Sequence, residues 1–190
     1  MALARLVIDG YGQLELNNAA FRRDGRIEAQ CALDSTDFAT APCENGMLLA
    51  VDKANKVIKF ATDASLPIAI NYSAEHMYDE RANGLKDFKI NYREDGEYFY
   101  PRMGYLSVGD LFTTNTISFD SSEFANAEAL AEAVNGSESS EKEVIYGGIS
   151  ADGSIAVSAT PPSAGPKLRV VKATTMPDGQ FALQFQVYTA

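Results

Sequence analysis

The residue best suited to chemistry is His76, the sole histidine of the chain. In Glu75-His76-Met77-Tyr78-Asp79-Glu80 a helical backbone would bring Asp79 and Glu80 onto the face of the imidazole. One imidazole and two carboxylates suit a transition metal. The plainer reading of so polar a stretch is a solvated surface turn, and it is preferred. His76 is also the one imidazole able to take a serine proton, and no Gly-x-Ser-x-Gly elbow accompanies it. Cys31 and Cys43 fit neither a metal-binding spacing nor a catalytic cysteine signature. A carboxylate pair for glycoside hydrolysis is always available among 26 acidic residues, but solvated faces account for that excess, and Trp platforms are absent. Neither a phosphate loop, a dinucleotide fingerprint nor an EF-hand loop is present. The sequence therefore assigns no catalytic, cofactor-binding or metal-binding residue, and it favours binding or assembly over catalysis.

Behind these residues stands a chain patterned for β structure. Asp-Gly recurs at 9–10, 24–25, 95–96, 152–153 and 178–179, and both residues tolerate the positive φ of tight hairpin turns. Three of these pairs have strand-like flanks. Phe88, Ile90 and Tyr92 precede Asp95-Gly96, and Tyr98-Phe99-Tyr100 follows. Val144-Ile145-Tyr146 and Ile155-Ala156-Val157 flank Asp152-Gly153. Leu168-Arg169-Val170-Val171 precedes Asp178-Gly179, and Phe181, Leu183, Phe185 and Val187 follow with period two. A weaker hairpin centres on Asp52-Lys53-Ala54-Asn55.

Helical spacing is confined to about 124–135, where Ala127, Leu130, Ala131 and Val134 form one apolar stripe. Ser121, Ser122 or Asn126 can cap its start, and Asn135-Gly136 ends it. A shorter helical turn at Ala74–Arg81 is the second candidate. The polar run Gly136–Lys142 reads as a linker, and Pro161-Pro162-Ser163-Ala164-Gly165-Pro166 as a loop between hairpins. The expected fold is mainly β: an antiparallel, hairpin-rich barrel or sandwich with one short α-helix. Residues 1–20, poor in pairing signals, read as an extended N-terminal arm, and 21–190 as a single β-rich body. Within that body the helix and linker occupy about 121–142 and the C-terminal hairpins 143–190.

Composition bounds the partners. A net charge of -10 opposes nucleic acid and anionic membrane but suits a basic protein partner. Arg22-Arg23-Asp24-Gly25-Arg26, the densest basic cluster, reads as a turn with solvated charges. No apolar run is long enough to span a bilayer, and the start of the chain lacks the layout of a signal peptide, so synthesis in a cytoplasm is expected. The two cysteines read as reduced and partly buried, and the glycosylation patterns at Asn71 and Asn135 as chance. Tyr98-Phe99-Tyr100-Pro101-Arg102-Met103-Gly104-Tyr105 is dense in aromatics and serves as core or as a contact surface.

Three segments carry a resemblance. They are Tyr11-Gly12-Gln13-Leu14-Glu15-Leu16 through Asp24-Gly25-Arg26-Ile27-Glu28-Ala29-Gln30; Ile70-Asn71-Tyr72-Ser73 through Glu80; and Pro101-Arg102-Met103-Gly104-Tyr105-Leu106-Ser107-Val108-Gly109-Asp110 through Thr116. Together they resemble the head decoration, cement or auxiliary capsid proteins of tailed bacteriophages. The resemblance implies a virion structural protein on the capsid exterior that binds the major capsid protein and bridges its subunits. It also implies a homo-oligomer, with a trimer matching a three-fold site, and no cofactor. A tail or neck component and a β-sandwich carbohydrate-binding module are the competing expectations.

Overall fold

The computed structural model describes residues 3–62, 65–73, 100–137 and 141–190. In chain order its elements are β1 (Ala4–Arg5), β2 (Leu14–Asn18), α1 (Ala20–Asp24), β3 (Ile27–Glu28), β4 (Ala32–Leu33), β5 (Leu48–Asp52), β6 (Val57–Phe60), β7 (Ile68–Asn71) and β8 (Met103–Gly104). They continue with β9 (Leu111–Thr114), β10 (Ile117–Phe119), α2 (Ala127–Asn135), β11 (Tyr146–Gly148), β12 (Ile155–Ser158), β13 (Lys167–Thr175) and β14 (Phe181–Thr189). The protein is mainly β. An eight-stranded sheet runs β1-β10-β12-β11-β13-β14-β9-β2, and a six-stranded sheet runs β3-β8-β7-β5-β6-β4. Both sheets are mixed rather than purely antiparallel, because β10 pairs with β12, and β4 with β6, in parallel. No helix among the described residues is long and apolar enough to cross a membrane.

The larger sheet must curl. Strands β9 and β10 are joined only by Asn115 and Thr116, yet they stand five strand spacings apart in the sheet order. A flat sheet would put them about 24 Å apart, whereas the three Cα steps from Thr114 to Ile117 reach at most about 11 Å. The bend that makes this closure is buried, with Thr114, Asn115 and Thr116 each 1% exposed or less. Its polar groups are met from several directions. The Thr114 hydroxyl donates to the Gln13 carbonyl and the Thr116 hydroxyl to the Asn45 carbonyl, each at 2.6 Å, while Asn115 Oδ1 accepts from the Gln13 amide at 2.7 Å.

Two cores flank the smaller sheet. Leu48 and Ile70 point into the main core with Phe112, Ile155, Leu168, Leu183 and Phe185 of the larger sheet. Leu49, Val51 and Ile58 point the other way, onto Cys31, Phe38, Cys43 and Met47. Because both its faces are covered, β5 carries an unbroken apolar run, Leu48-Leu49-Ala50-Val51, instead of alternation. Phe21 of α1 is fully buried, and its ring lies on Gly104, where a Cβ would come within 2.5 Å of it.

The sequence-expected hairpins within the described residues form, with wider turns than a two-residue type I′ loop. At β13–β14 the Met176 amide donates to the Gln180 carbonyl at 2.7 Å, which leaves Pro177, Asp178 and Gly179 as a three-residue loop. Gly179, at φ 89°, supplies the left-handed position such loops need. At β11–β12 the pairing of Gly148 with Ala156 leaves a longer loop, because the Asp152 carboxylate gathers Ser150 and Ser154 inside it. Asp24-Gly25 is no hairpin: Gly25, at φ 69°, caps the C-terminus of α1. The hairpin at Asp95-Gly96 and the helical turn at Ala74–Arg81 lie outside the described residues.

The helix near 124–135 is α2, capped by Asn126, whose side chain accepts from the Ala129 amide at 2.8 Å, and buried through Leu130 and Val134. The N-terminal segment corrects the expectation of an extended arm. β1 pairs with β10, β2 pairs with β9, and Arg5 forms an ion pair with Glu44. Leu14 is buried and Leu16 packs against the main core, so this segment gains by docking what an arm would leave exposed.

The close approach of Phe21 gives a direct test. Replacing Gly104 by Ala forces the ring or the strand to move, and overpacking of this kind costs about 1–3 kcal/mol. Chemical denaturation should show this loss, and the double variant G104A/F21L should recover part of it.

Candidate interaction surfaces

Asp110, in the Ser107-Val108-Gly109-Asp110 turn, ties two separate stretches of backbone together through its carboxylate. One carboxylate oxygen accepts the Ala20 amide at 2.6 Å and so caps α1, whose own N-cap residue, Ala19, has no side-chain acceptor. The other accepts the Ser107 amide at 2.8 Å. The backbone of the same turn pairs with β14, since the Val187 amide donates to the Asp110 carbonyl at 2.9 Å. Asp110 is 3% exposed, so its role is structural.

The groups singled out for chemistry do not gather at one place. His76 with Asp79 and Glu80 lies outside the described residues. Among the described residues, no three His, Cys, Asp or Glu side chains are placed to hold a metal ion. Cys31 and Cys43 are free, buried thiols. Burial and the neighbouring Glu28 push the Cys31 thiol up, and burial with Glu44 pushes the Cys43 thiol up. Both are thus held away from the thiolate form a nucleophile needs. Asn71 is fully buried and donates to the Glu44 carbonyl at 2.9 Å, and the Asn135 amide is paired with both backbone groups of Ala173. Both asparagines of the glycosylation patterns are therefore engaged in the fold.

The aromatic run at Tyr98–Tyr105 divides. Tyr98 and Phe99 lie outside the described residues, Tyr100 is exposed, Met103 is fully buried, and Tyr105 is half-buried beneath Lys53. Lys53 also pairs with the Glu28 carboxylate at 3.2 Å. Burial acts to raise the pKa of Glu28, but the Gln30 amide and Lys53 outweigh it and hold the carboxyl below the usual range.

Two surfaces stand out by their chemistry. The first is the outer face of β11, β13, β14 and β9. Leu168, Val170, Leu183, Phe185 and Val187 point into the core, so the alternate positions point out. Across the strands Tyr146 stands beside Arg169, Arg169 beside Gln186 and Gln186 beside Leu111, while Lys172 stands beside Gln184 and Gln184 beside Thr113. The rings of Tyr146 and Tyr188 lie 6.0 Å apart. Period two in the sequence marked the inward positions of β14, but Lys172 faces outward only because a bulge at Val171 shifts the register of β13. The aromatic run weighed in the sequence as core or contact surface was Tyr98–Tyr105. The second surface is a groove of about 270 Å³ beside α2, floored by Phe124 and Ala133 and rimmed by Glu123, Glu132, Glu141 and Glu143.

Comparison of the chain with protein-family models, with curated proteins and with solved structures returns no match.

The carboxylates predict an acid response. In Asp152 burial acts to raise the pKa, but the Ser154 and Ser150 hydroxyls, the Ser154 amide and the Arg5 charge hold it below the usual range. For Glu28 and Asp152 the stabilisation is complete above the ordinary carboxylate pKa of about 4 and fades as pH falls through the depressed values. Denaturation midpoints should stay level from neutral pH to about pH 5 and drop below pH 4. The drop should be smaller in the E28Q/D152N variant.

Proposed function

We propose that the protein is a virion structural component that binds the outside of a tailed-phage capsid and bridges or stabilises its major capsid subunits. The observation that carries this reading is how two of the three resembling segments lie. Residues 11–30 and 101–116 run alongside each other, β2 on β9 in one sheet and β3 on β8 in the other. The Tyr105 amide donates to the Arg26 carbonyl at 3.0 Å between those pairings, and Asp110 caps α1. The segments that carry the likeness thus form one unit spanning both sheets.

The surface chemistry is compatible with this role. A chain of net charge -10, with an acidic groove beside α2, complements a basic patch on a subunit wall. Binding would use surfaces already formed, because the N-terminal residues described are paired into the body. Preformed contacts avoid the ordering cost that a disordered arm would carry.

Co-sedimentation of the purified protein with DNA-filled heads lacking it tests the reading. The protein should pellet with heads, and less of it should do so as salt rises. The charge-reversal variant E132K/E141K should bind at least tenfold more weakly. Pelleting with isolated tails or necks instead of heads would move the protein to the tail or neck class. Absence of association with any virion part overturns the proposal.

A further inference from the structure

We infer that the outer face of β11, β13, β14 and β9 binds an anionic, uronate-bearing polysaccharide, an activity separate from capsid attachment. The first argument is charge. In a chain of net charge -10, Lys167, Arg169 and Lys172 all fall on the single strand β13, and Arg169 and Lys172 are exposed. Among the described residues the side chains of Arg169 and Lys172 make no ion pair or hydrogen bond. Elsewhere cations are used internally, as in the pairs Arg5–Glu44, Lys53–Glu28 and Lys59–Asp52. Among the described residues, Arg169 and Lys172 are exposed and unpaired on a sheet face.

The second argument is the company they keep. Gln186 stands directly across from Arg169, and Gln184 directly across from Lys172. Gln184 and the Thr113 hydroxyl converge on Asn17 Oδ1, at 3.2 and 2.8 Å. Those contacts fix the flank of the face, while the exposed Gln186 amide offers a donor and an acceptor to a sugar, and a guanidinium takes a carboxylate through two parallel hydrogen bonds. The tilted Tyr146–Tyr188 pair provides ring surface for the apolar side of a sugar at one end of the row. The four strands make a platform about 14 Å across, long enough for a linear ligand lying over the strands.

Other partners fit the face less well. A protein partner would need a larger apolar centre than Val171 and Tyr188, which are 46% and 39% exposed. Nucleic acid presents few free hydroxyls, so the exposed Gln186 amide beside Arg169 would have little to meet.

The test measures binding of polygalacturonate, neutral dextran and single-stranded DNA to the parent protein by calorimetry. The same measurements are made on R169E/K172E, on Y146A/Y188A, and on K56E in the β5–β6 turn as a charge control. Thermal unfolding checks the fold of each. Polygalacturonate should bind, dextran and DNA should not, and affinity should fall at least tenfold in either face variant but not in K56E. Should R169E/K172E fail to fold, R169Q gives the same reading, with at least a threefold loss expected. Equal binding of DNA and polygalacturonate, undiminished binding in the face variants, or no polygalacturonate binding would each overturn the inference. Head co-sedimentation of R169E/K172E should match the parent. If that variant instead loses heads while the parent binds no glycan, the face is a capsid contact and the inference fails while the proposed function stands.

Discussion

Where the chain passes from β9 to β10, three consecutive polar residues cross the interior, and both threonine hydroxyls and Asn115 Oδ1 find partners away from water while Asn115 Nδ2 has none. A buried amide or hydroxyl left unpaired costs about 1–3 kcal/mol. The partners of Thr114, Asn115 and Thr116 are backbone groups of Gln13 and Asn45, from segments remote in sequence. Satisfying the bend therefore draws the N-terminal segment and the loop before β5 onto the larger sheet. Gly46 shows how tight the junction is, because a Cβ there would lie 2.2 Å from the Thr114 hydroxyl oxygen. From this point the smaller sheet is held to the larger, with the Leu48 amide donating to the Gly153 carbonyl at 2.8 Å.

This arrangement explains what the sequence disclosed and what it concealed. The hairpins at β5–β6, β11–β12 and β13–β14 were legible because local alternation and a local turn specify them. α2 was legible for the same reason, since its stripe and its cap lie within a dozen residues. The docking of residues 4–18 was hidden. β1 offers two residues to its partner strand, and the strands it and β2 join lie about a hundred positions away. Pairing at that distance leaves no periodicity in either segment alone. Turn width was hidden too, because it depends on the side chains of Asp152, Ser150 and Ser154 competing for the loop backbone.

Legibility of the surfaces follows the same division. Outward positions on β14 can be read from period two, but Lys172 cannot, because the bulge at Val171 reverses the alternation of β13. Neither can the neighbours on β9 and β11, because sheet order is a long-range property. The acidic groove is assembled from the turn before α2, the helix itself and the segment after it. Its charges are visible in the sequence only as an excess. Glu28, Lys53 and Tyr105 likewise come from three separated stretches and meet through the smaller sheet, which is why the sequence left the aromatic run open between core and contact surface while Tyr105 is half-covered.

The ends of the two sheets carry a further consequence. Among the described residues, β1, β3 and β4 each terminate a sheet with only two paired residues, and β2, the remaining border, is irregular between Glu15 and Asn18. A border so short offers too few free amides and carbonyls to template a strand from a neighbouring molecule. Among the described residues the two sheets therefore leave little open edge on which a neighbouring molecule could extend them.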